Sequence, residues 1–188
     1  MSVPSTAFFR SCLTEAGSWT WAAASGLWLT YLALEKPKLR LDGIDPDRRK
    51  LTLARTSRAG EFELHEGSAG DLPDGTYDCI TILDVLYLMH DEQKAAVLSG
   101  CFRALRPGGT LVVKELDIRP WWKFVPSAVE ELLAVRLVNL THGERLHFQS
   151  VGALADGVAG EGFTDVEVLR VDQGYIHPHV VVSARKPG

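Results

Sequence analysis

The sequence predicts an α/β domain, a mostly parallel β-sheet with helices on both faces, and three observations predict it. Strand-like and amphipathic helical segments alternate from Leu39 to Glu115, and repeated strand-helix-strand units imply crossovers that keep the strands parallel. The runs CITILDVLYL (79–88) and TLVVKE (110–115) are predominantly apolar, as expected of strands covered on both faces. The 188 residues are 46% hydrophobic and 23% charged, which suits one domain with a single core.

The elements follow in order. Ser5 to Leu13 reads as a short leading helix. The stretch WTWAAASGLWLTYLAL (19–34) lies in an uncharged run that begins at Ala16. That run is just long enough to cross a bilayer, but Ser18, Thr20, Ser25, Thr30 and two glycines make it a poor span. Arg10 followed by AAASG loosely imitates a signal peptide, although Glu15 fits badly there. The remaining reading is a first strand, a tight turn at AAASG and a helix.

LRLDGID (39–45) reads as the second strand, and Asp45 before Pro46 marks the start of a helix in PDRRKLTLAR. FELHEG is a short third strand. The turn residues of DLPDGTYD lead into CITILDVLYL as the fourth. Asp91 to Leu105 is amphipathic, with Ala95, Leu98, Phe102 and Leu105 on one side, and RPGG stops it. TLVVKE is the fifth strand. SAVEELLAVRLVNL and SVGALADGVAGEG read as helices, and FTDVEVLRVDQGYIHPHVVVSARKP as a closing hairpin around DQG. The whole chain, 1–188, is expected to form one domain. Its parts are a leader (1–16), a ligand-binding half (17–115), a helical insert (116–163) and the terminal hairpin (164–188).

Composition excludes several classes. A net charge of −4 supplies no broad basic field for a nucleic-acid backbone, so no nucleic-acid partner is expected. Cys12, Cys79 and Cys101 are widely spaced with no C-x-x-C pair, which points away from a disulfide framework or zinc knuckle and toward a reducing cytoplasm. Neither a phosphate-binding G-x-x-x-x-G-K-[ST] nor a hydrolase G-x-S-x-G is present. His177 and His179 share one strand face, but two ligands do not make a metal site, and no metal is expected.

In an open parallel sheet, ligands sit beyond the carboxyl ends of the strands, beside the first strand-to-helix turn. Here that turn is AAASG. An acidic residue about 20 positions further on commonly accepts hydrogen bonds from ribose hydroxyls, and Asp45 stands nineteen residues after Gly26. Asp45 is equally placed to cap the helix that follows it.

GLWLTYLAL, LRLDGIDPDRRKLTLAR, GDLPDGTYDCITILDVLYLMHDEQ, LRPGGTLVVKE and the closing GF…VVVSARKP together resemble, in this serial order, the class I S-adenosylmethionine-dependent methyltransferases. The resemblance spans nearly the whole chain. It implies a Rossmann-like, seven-stranded, mostly parallel sheet with a C-terminal antiparallel hairpin, and S-adenosylmethionine as methyl donor. The family's first motif, apolar-apolar-acid-apolar-G-C-G-x-G, places its acid at Thr20 and its glycines at Ala22, Ala24 and Gly26, so only the last glycine is kept. Ser68, with Ala69 beside it, occupies the place of the usual adenine-binding aspartate. Asp45 and Asp84 remain as carboxylates at strand ends. Two rival readings follow from the altered motif: a methyltransferase-like binding or scaffolding protein without cofactor, or a pocket turned to another reaction such as cyclisation.

Methyl transfer requires an acceptor held in line with the sulfonium methyl, and a base helps when the acceptor is a hydroxyl. The candidate bases are His142 and His90, with Glu115 as a strand-end carboxylate. Lys114 and Glu115 alternate, so only one of them faces the crevice. Trp121 and Trp122 offer a flat wall for a small lipophilic or aromatic acceptor, or pack a helix onto the sheet. Arg119 and Lys123 are candidates for a carboxylate or for solvent.

Overall fold

The computed structural model describes residues 26–57, 60–118, 147–171 and 178–188. Outside them lie the expected leading helix, the first strand with Ala22 and Ala24, and most of the helical insert with Trp121, Trp122 and His142. Arg119, Lys123, His177 and the DQG turn lie outside as well.

The described elements are α1 (Leu27–Glu35), β1 (Asp42–Asp45), α2 (Arg48–Ser57), β2 (Glu63–Glu66), β3 (Tyr77–Leu83), α3 (Asp91–Ala104), β4 (Leu105–Leu116), α4 (Val151–Gly160), β5 (Thr164–Arg170) and β6 (His179–Arg185). Short 3₁₀ turns at Ala69–Asp71 and Leu86–Leu88 complete them. Strand β1 pairs in parallel with β2, and a second sheet has the order β3-β4-β6-β5. There β3 and β4 are parallel, while β6 runs antiparallel to both neighbours. The described residues thus contain six strands of the expected architecture, including its antiparallel closing pair.

Local chemistry explains the boundaries. Gly26 precedes α1 in a left-handed conformation, with φ of 68°. Its carbonyl accepts the Thr30 N–H at 2.9 Å, so it is the pivot into the helix. A Cβ at Gly26 would lie 2.8 Å from the Ala54 Cβ on α2, which makes the glycine necessary for packing as well as for φ. The next helix starts later than Pro46: Asp45 Oδ1 accepts the Asp47 N–H at 2.7 Å, and Asp47 Oδ1 accepts the Arg49 N–H at 2.8 Å. Asp47 therefore caps α2, and Asp45 supports the turn before it.

The fourth expected strand is also shorter than its apolar run. It ends at Leu83; Asp84 then adopts a left-handed φ of 52°, and Leu86–Leu88 turns as a 3₁₀ segment. Helix α3 ends at Ala104 and β4 begins at Leu105, ahead of RPGG. Its buried stripe is Lys94, Val97, Leu98, Cys101 and Ala104, with Ala95 exposed. The face is rotated from the expected one because the Lys94 alkyl stem packs inward while its amine finds two acceptors.

The main core joins Ile80, Ile82, Leu111, Val113 and Val182 of the sheet to Val97, Leu98 and Cys101 of α3 and to Leu154 and Val158 of α4. The opposite face of the same sheet carries Cys79, Val112 and Val181, also buried. This double coverage accounts for the predominantly apolar centres of β3 and β4. Cys79 and Cys101 are buried. Among the described residues, no helix is long and apolar enough to cross a membrane.

Candidate functional site

The described candidate residues fall into two groups at strand ends, Gly26, Asp45, Ser68 and Ala69 about β1 and β2, and Asp84, His90 and Glu115 about β3 and β4. Asp45 closes β1 and is buried. Its carbonyl accepts the Gly67 N–H at 3.3 Å, which ties the turn carrying Ser68 and Ala69 to the end of β1. Gly26 joins the same region through α2, where it packs on Ala54.

Ser68 directs its hydroxyl inward to its own turn. Both its N–H, at 2.7 Å, and its Oγ, at 3.0 Å, donate to Asp71 Oδ2. These bonds, the backbone one foremost, hold the Asp71 carboxyl below its usual pKa. Ala69 is fully buried. A Cβ added to Gly100 of α3 would come within 2.6 Å of the Ala69 carbonyl oxygen, so a close helix-to-turn contact fixes this corner. Backbone groups rather than side chains are therefore what Ala69 can offer a ligand.

Asp84 follows β3 directly. Its N–H donates to the Lys114 carbonyl at 2.9 Å, and its Oδ2 is bonded to the Lys114 ammonium. Glu115, next along β4, projects from the opposite face, as strand alternation demands. There it is buried, and its Oε1 accepts the Val85 N–H at 3.0 Å and the Leu86 N–H at 2.6 Å. Burial pushes its pKa up to about 7, helped by the Asp84 charge and opposed by the two backbone donors. Glu115 thus holds the loop after Asp84 in place. A cavity of about 10 Å³ beside it, lined by Tyr87, Gln149, Leu154 and Val180, has room for one water at most.

His90 stands before α3, where its N–H donates to Gln93 Oε1 at 2.9 Å. Its ring lies 4.0 Å from that of His147. Nearby, the buried Lys94 donates to the His147 carbonyl at 2.9 Å and to Asp91 Oδ1 at 3.1 Å. The His147 N–H in turn donates to the Tyr87 carbonyl at 2.6 Å, and Tyr87 stacks on Phe148 with ring centroids 5.2 Å apart. Residues 147–150 are thereby moored to the loop after β3 and to α3. At the other edge, the buried Asp117 accepts from Arg170 at 2.5 Å and from the Val151 N–H at 3.3 Å.

Sequence reasoning overlooked Lys94 and Asp117. It also considered His179 only as half of an HPH pair. In the structure His179 lies at the start of the last strand, on the face of the sheet that carries Lys114. At the amino ends, away from this crevice, Asp42, Glu63 and His65 form a small polar cluster, and Tyr77 donates to Asp42. Burial raises the pKa of both members of that pair, with the Tyr77 phenol at about 12.

A parallel sheet with its carboxylates at the strand ends, a left-handed glycine at the head of α1 and an antiparallel closing strand define a class I methyltransferase fold. The chain is similar to S-adenosylmethionine-dependent methyltransferases of this class. Residues 21–109 match the family described as a methyltransferase domain. The chain is 29% identical to erythromycin 3''-O-methyltransferase of Saccharopolyspora erythraea, over 83% of this chain and 53% of that protein. A shorter stretch, 30% of this chain and 22% of the relative, is 42% identical to the ubiquinone/menaquinone biosynthesis C-methyltransferase of Cronobacter sakazakii. The match thus spans about half the length of the first relative and about a fifth of the second. In fold, it superposes on an S-adenosylmethionine-dependent methyltransferase from Methanosarcina mazei with a TM-score of 0.72 and 16% identity, covering 96% of this chain and 97% of that one.

Proposed function

We propose that the protein transfers a methyl group from S-adenosylmethionine to a small lipophilic or aromatic acceptor. The observation that carries this reading is the buried Asp45 carboxylate at the carboxyl end of β1, next to the Gly67–Ala69 turn and one helix away from Gly26. The donor set fits the nucleoside part of the methyl donor. Asp45 supplies an anionic acceptor for ribose hydroxyls, and the Gly67–Ala69 turn supplies backbone groups for the adenine edge. Asp84 contributes negative charge near a cationic sulfonium. When bound, S-adenosylmethionine supplies an electrophilic methyl group that needs no further activation. What the chain must do is orient the two partners and exclude water.

The acceptor class is supported by the O-methyltransferase named above. The three widely spaced cysteines, with no C-x-x-C pair, are in keeping with a reducing, cytoplasmic compartment. Titration calorimetry with S-adenosylmethionine tests the reading. Micromolar binding with a stoichiometry of about one is expected for the enzyme, whose KM values usually fall between about 1 μM and 1 mM. The absence of measurable heat up to millimolar donor would reject it in favour of a binding or scaffolding protein.

A further inference from the structure

Three polar side chains from three separate strand ends converge at the carboxyl edge of the main sheet, and Glu115 is not among them. Asp84 follows β3, Lys114 lies near the end of β4, and His179 opens β6. The antiparallel register sets Val181 opposite Lys114 and His179 opposite Leu116. Residues directly opposite, and those two apart, share a face, so Lys114 and His179 project to the same side. Asp84 receives both: Lys114 bonds its Oδ2, and His179 Nδ1 stands 3.8 Å from its Oδ1.

One further feature marks the group as poised rather than merely structural, and it belongs to Asp84. Its Oδ1 is buried yet accepts no hydrogen bond from any described residue, which leaves an acceptor ready for a donor. The side chains are nevertheless reachable, at 39% exposure for Asp84, 24% for Lys114 and 23% for His179.

We propose that His179 is the general base for a hydroxyl-bearing acceptor, with Asp84 and Lys114 as its positioning residues. This assignment rests on the methyl-transfer reading above. Lys114 holds one oxygen of Asp84 and so fixes the carboxylate plane. The other oxygen then faces His179 Nδ1, and a closure of about 1 Å brings the pair within hydrogen-bond range; such bonds are often long in ligand-free enzymes. A proton held on Nδ1 leaves Nε2 as the basic nitrogen. The acceptor hydroxyl donates to Nε2, and its oxygen attacks the methyl carbon. The O–C bond forms as the C–S bond breaks with its electron pair on sulfur. The hydroxyl proton passes to Nε2, and the imidazolium, stabilised by Asp84, later releases it to water.

The test has two arms. Imidazole nitrogen NMR on the full chain with S-adenosylhomocysteine should show His179 as the Nδ1–H tautomer, and Asp84→Asn should shift it toward Nε2–H. An Nε2–H tautomer in both proteins overturns the dyad. In the second arm, methyl-labelled S-adenosylmethionine is offered with catechol, a hydroxybenzoate and an alkyl glycoside as hydroxyl probes, and indole as a carbon probe. Label should reach oxygen, and His179→Ala and His179→Gln should lower kcat by about 100-fold or more with donor affinity unchanged within twofold. Label only on carbon, no labelled hydroxyl probe from a protein that binds the donor, or a kcat within threefold of the parent overturns the proposal. A parent protein that binds no donor refutes the methyl-transfer reading itself, a separate result that calorimetry reads directly.

Discussion

Replacing Asp45 separates the residue's structural role from its proposed ligand role. In the folded chain Asp45 Oδ1 accepts the Asp47 N–H at 2.7 Å, and Asp45→Ala loses that bond together with the charge. Asp45→Asn retains an amide oxygen for the turn but loses the anionic acceptor. A hydrogen bond to a charged group contributes about 1.5–3 kcal/mol, and about 1.4 kcal/mol is a factor of ten in affinity. The loss of one ribose contact therefore weakens donor binding by roughly 10- to 150-fold. Calorimetric titration of S-adenosylmethionine into the parent protein and both variants, each checked by thermal melting, measures this. The expected result is a weakened Kd in both variants, with a lowered Tm confined to Asp45→Ala. An Asp45→Ala protein with unchanged donor affinity would refute the assignment, whatever its Tm.

Gly26→Ala should be costly, because φ of 68° disfavours a side chain and the new Cβ would stand 2.8 Å from Ala54 Cβ. Left-handed strain of about 1–2 kcal/mol and overpacking of about 1–3 kcal/mol predict a Tm lowered on the order of 10 °C, measured by calorimetry. Gly100→Ala should disturb the Ser68–Ala69 turn, since its Cβ would meet the Ala69 carbonyl oxygen at 2.6 Å; chemical denaturation should show a loss of at least about 1–3 kcal/mol. Glu115 predicts a pH effect. Its folded pKa is raised from 4.5 to about 7, so between those values the folded state keeps a proton that the unfolded state releases. Stability therefore falls as pH rises from about 4.5 to 7, by on the order of 3 kcal/mol, and levels off above. Glu115→Gln keeps an acceptor for Val85 and Leu86 but cannot ionise, so its melting curve should lose this slope. Asp42, also raised by burial, adds a slope of the same sign to both proteins, and the difference between them isolates Glu115.

The strands were legible because β3 and β4 are covered on both faces, which leaves a compositional mark that needs no partner to be read. The boundaries were less so. Two successive aspartate turns, at Asp45 and Asp47, gave two plausible caps, and only the hydrogen bonds distinguish them. The buried face of α3 was misjudged because a lysine reads as solvent-facing, whereas Lys94 buries its stem and spends its amine on His147 and Asp91. Of the proposed site residues, Asp45 and Asp84 were placed at strand ends from the strand pattern alone, and the structure has them there. The alternation of Lys114 and Glu115 was foreseen, but its outcome was not: Glu115 anchors a loop from the face packed against α3 and α4. The convergence of His179 on Asp84 depends on the register between β4 and β6 and on residues nearly a hundred positions apart, which no local pattern encodes.

The most direct test is a crystal structure of the protein with S-adenosylhomocysteine. The ribose hydroxyls should be hydrogen-bonded to Asp45, with the sulfur facing the edge where Asp84 ends β3. A nucleoside bound elsewhere, or a crevice that stays empty at saturating ligand, would contradict the account.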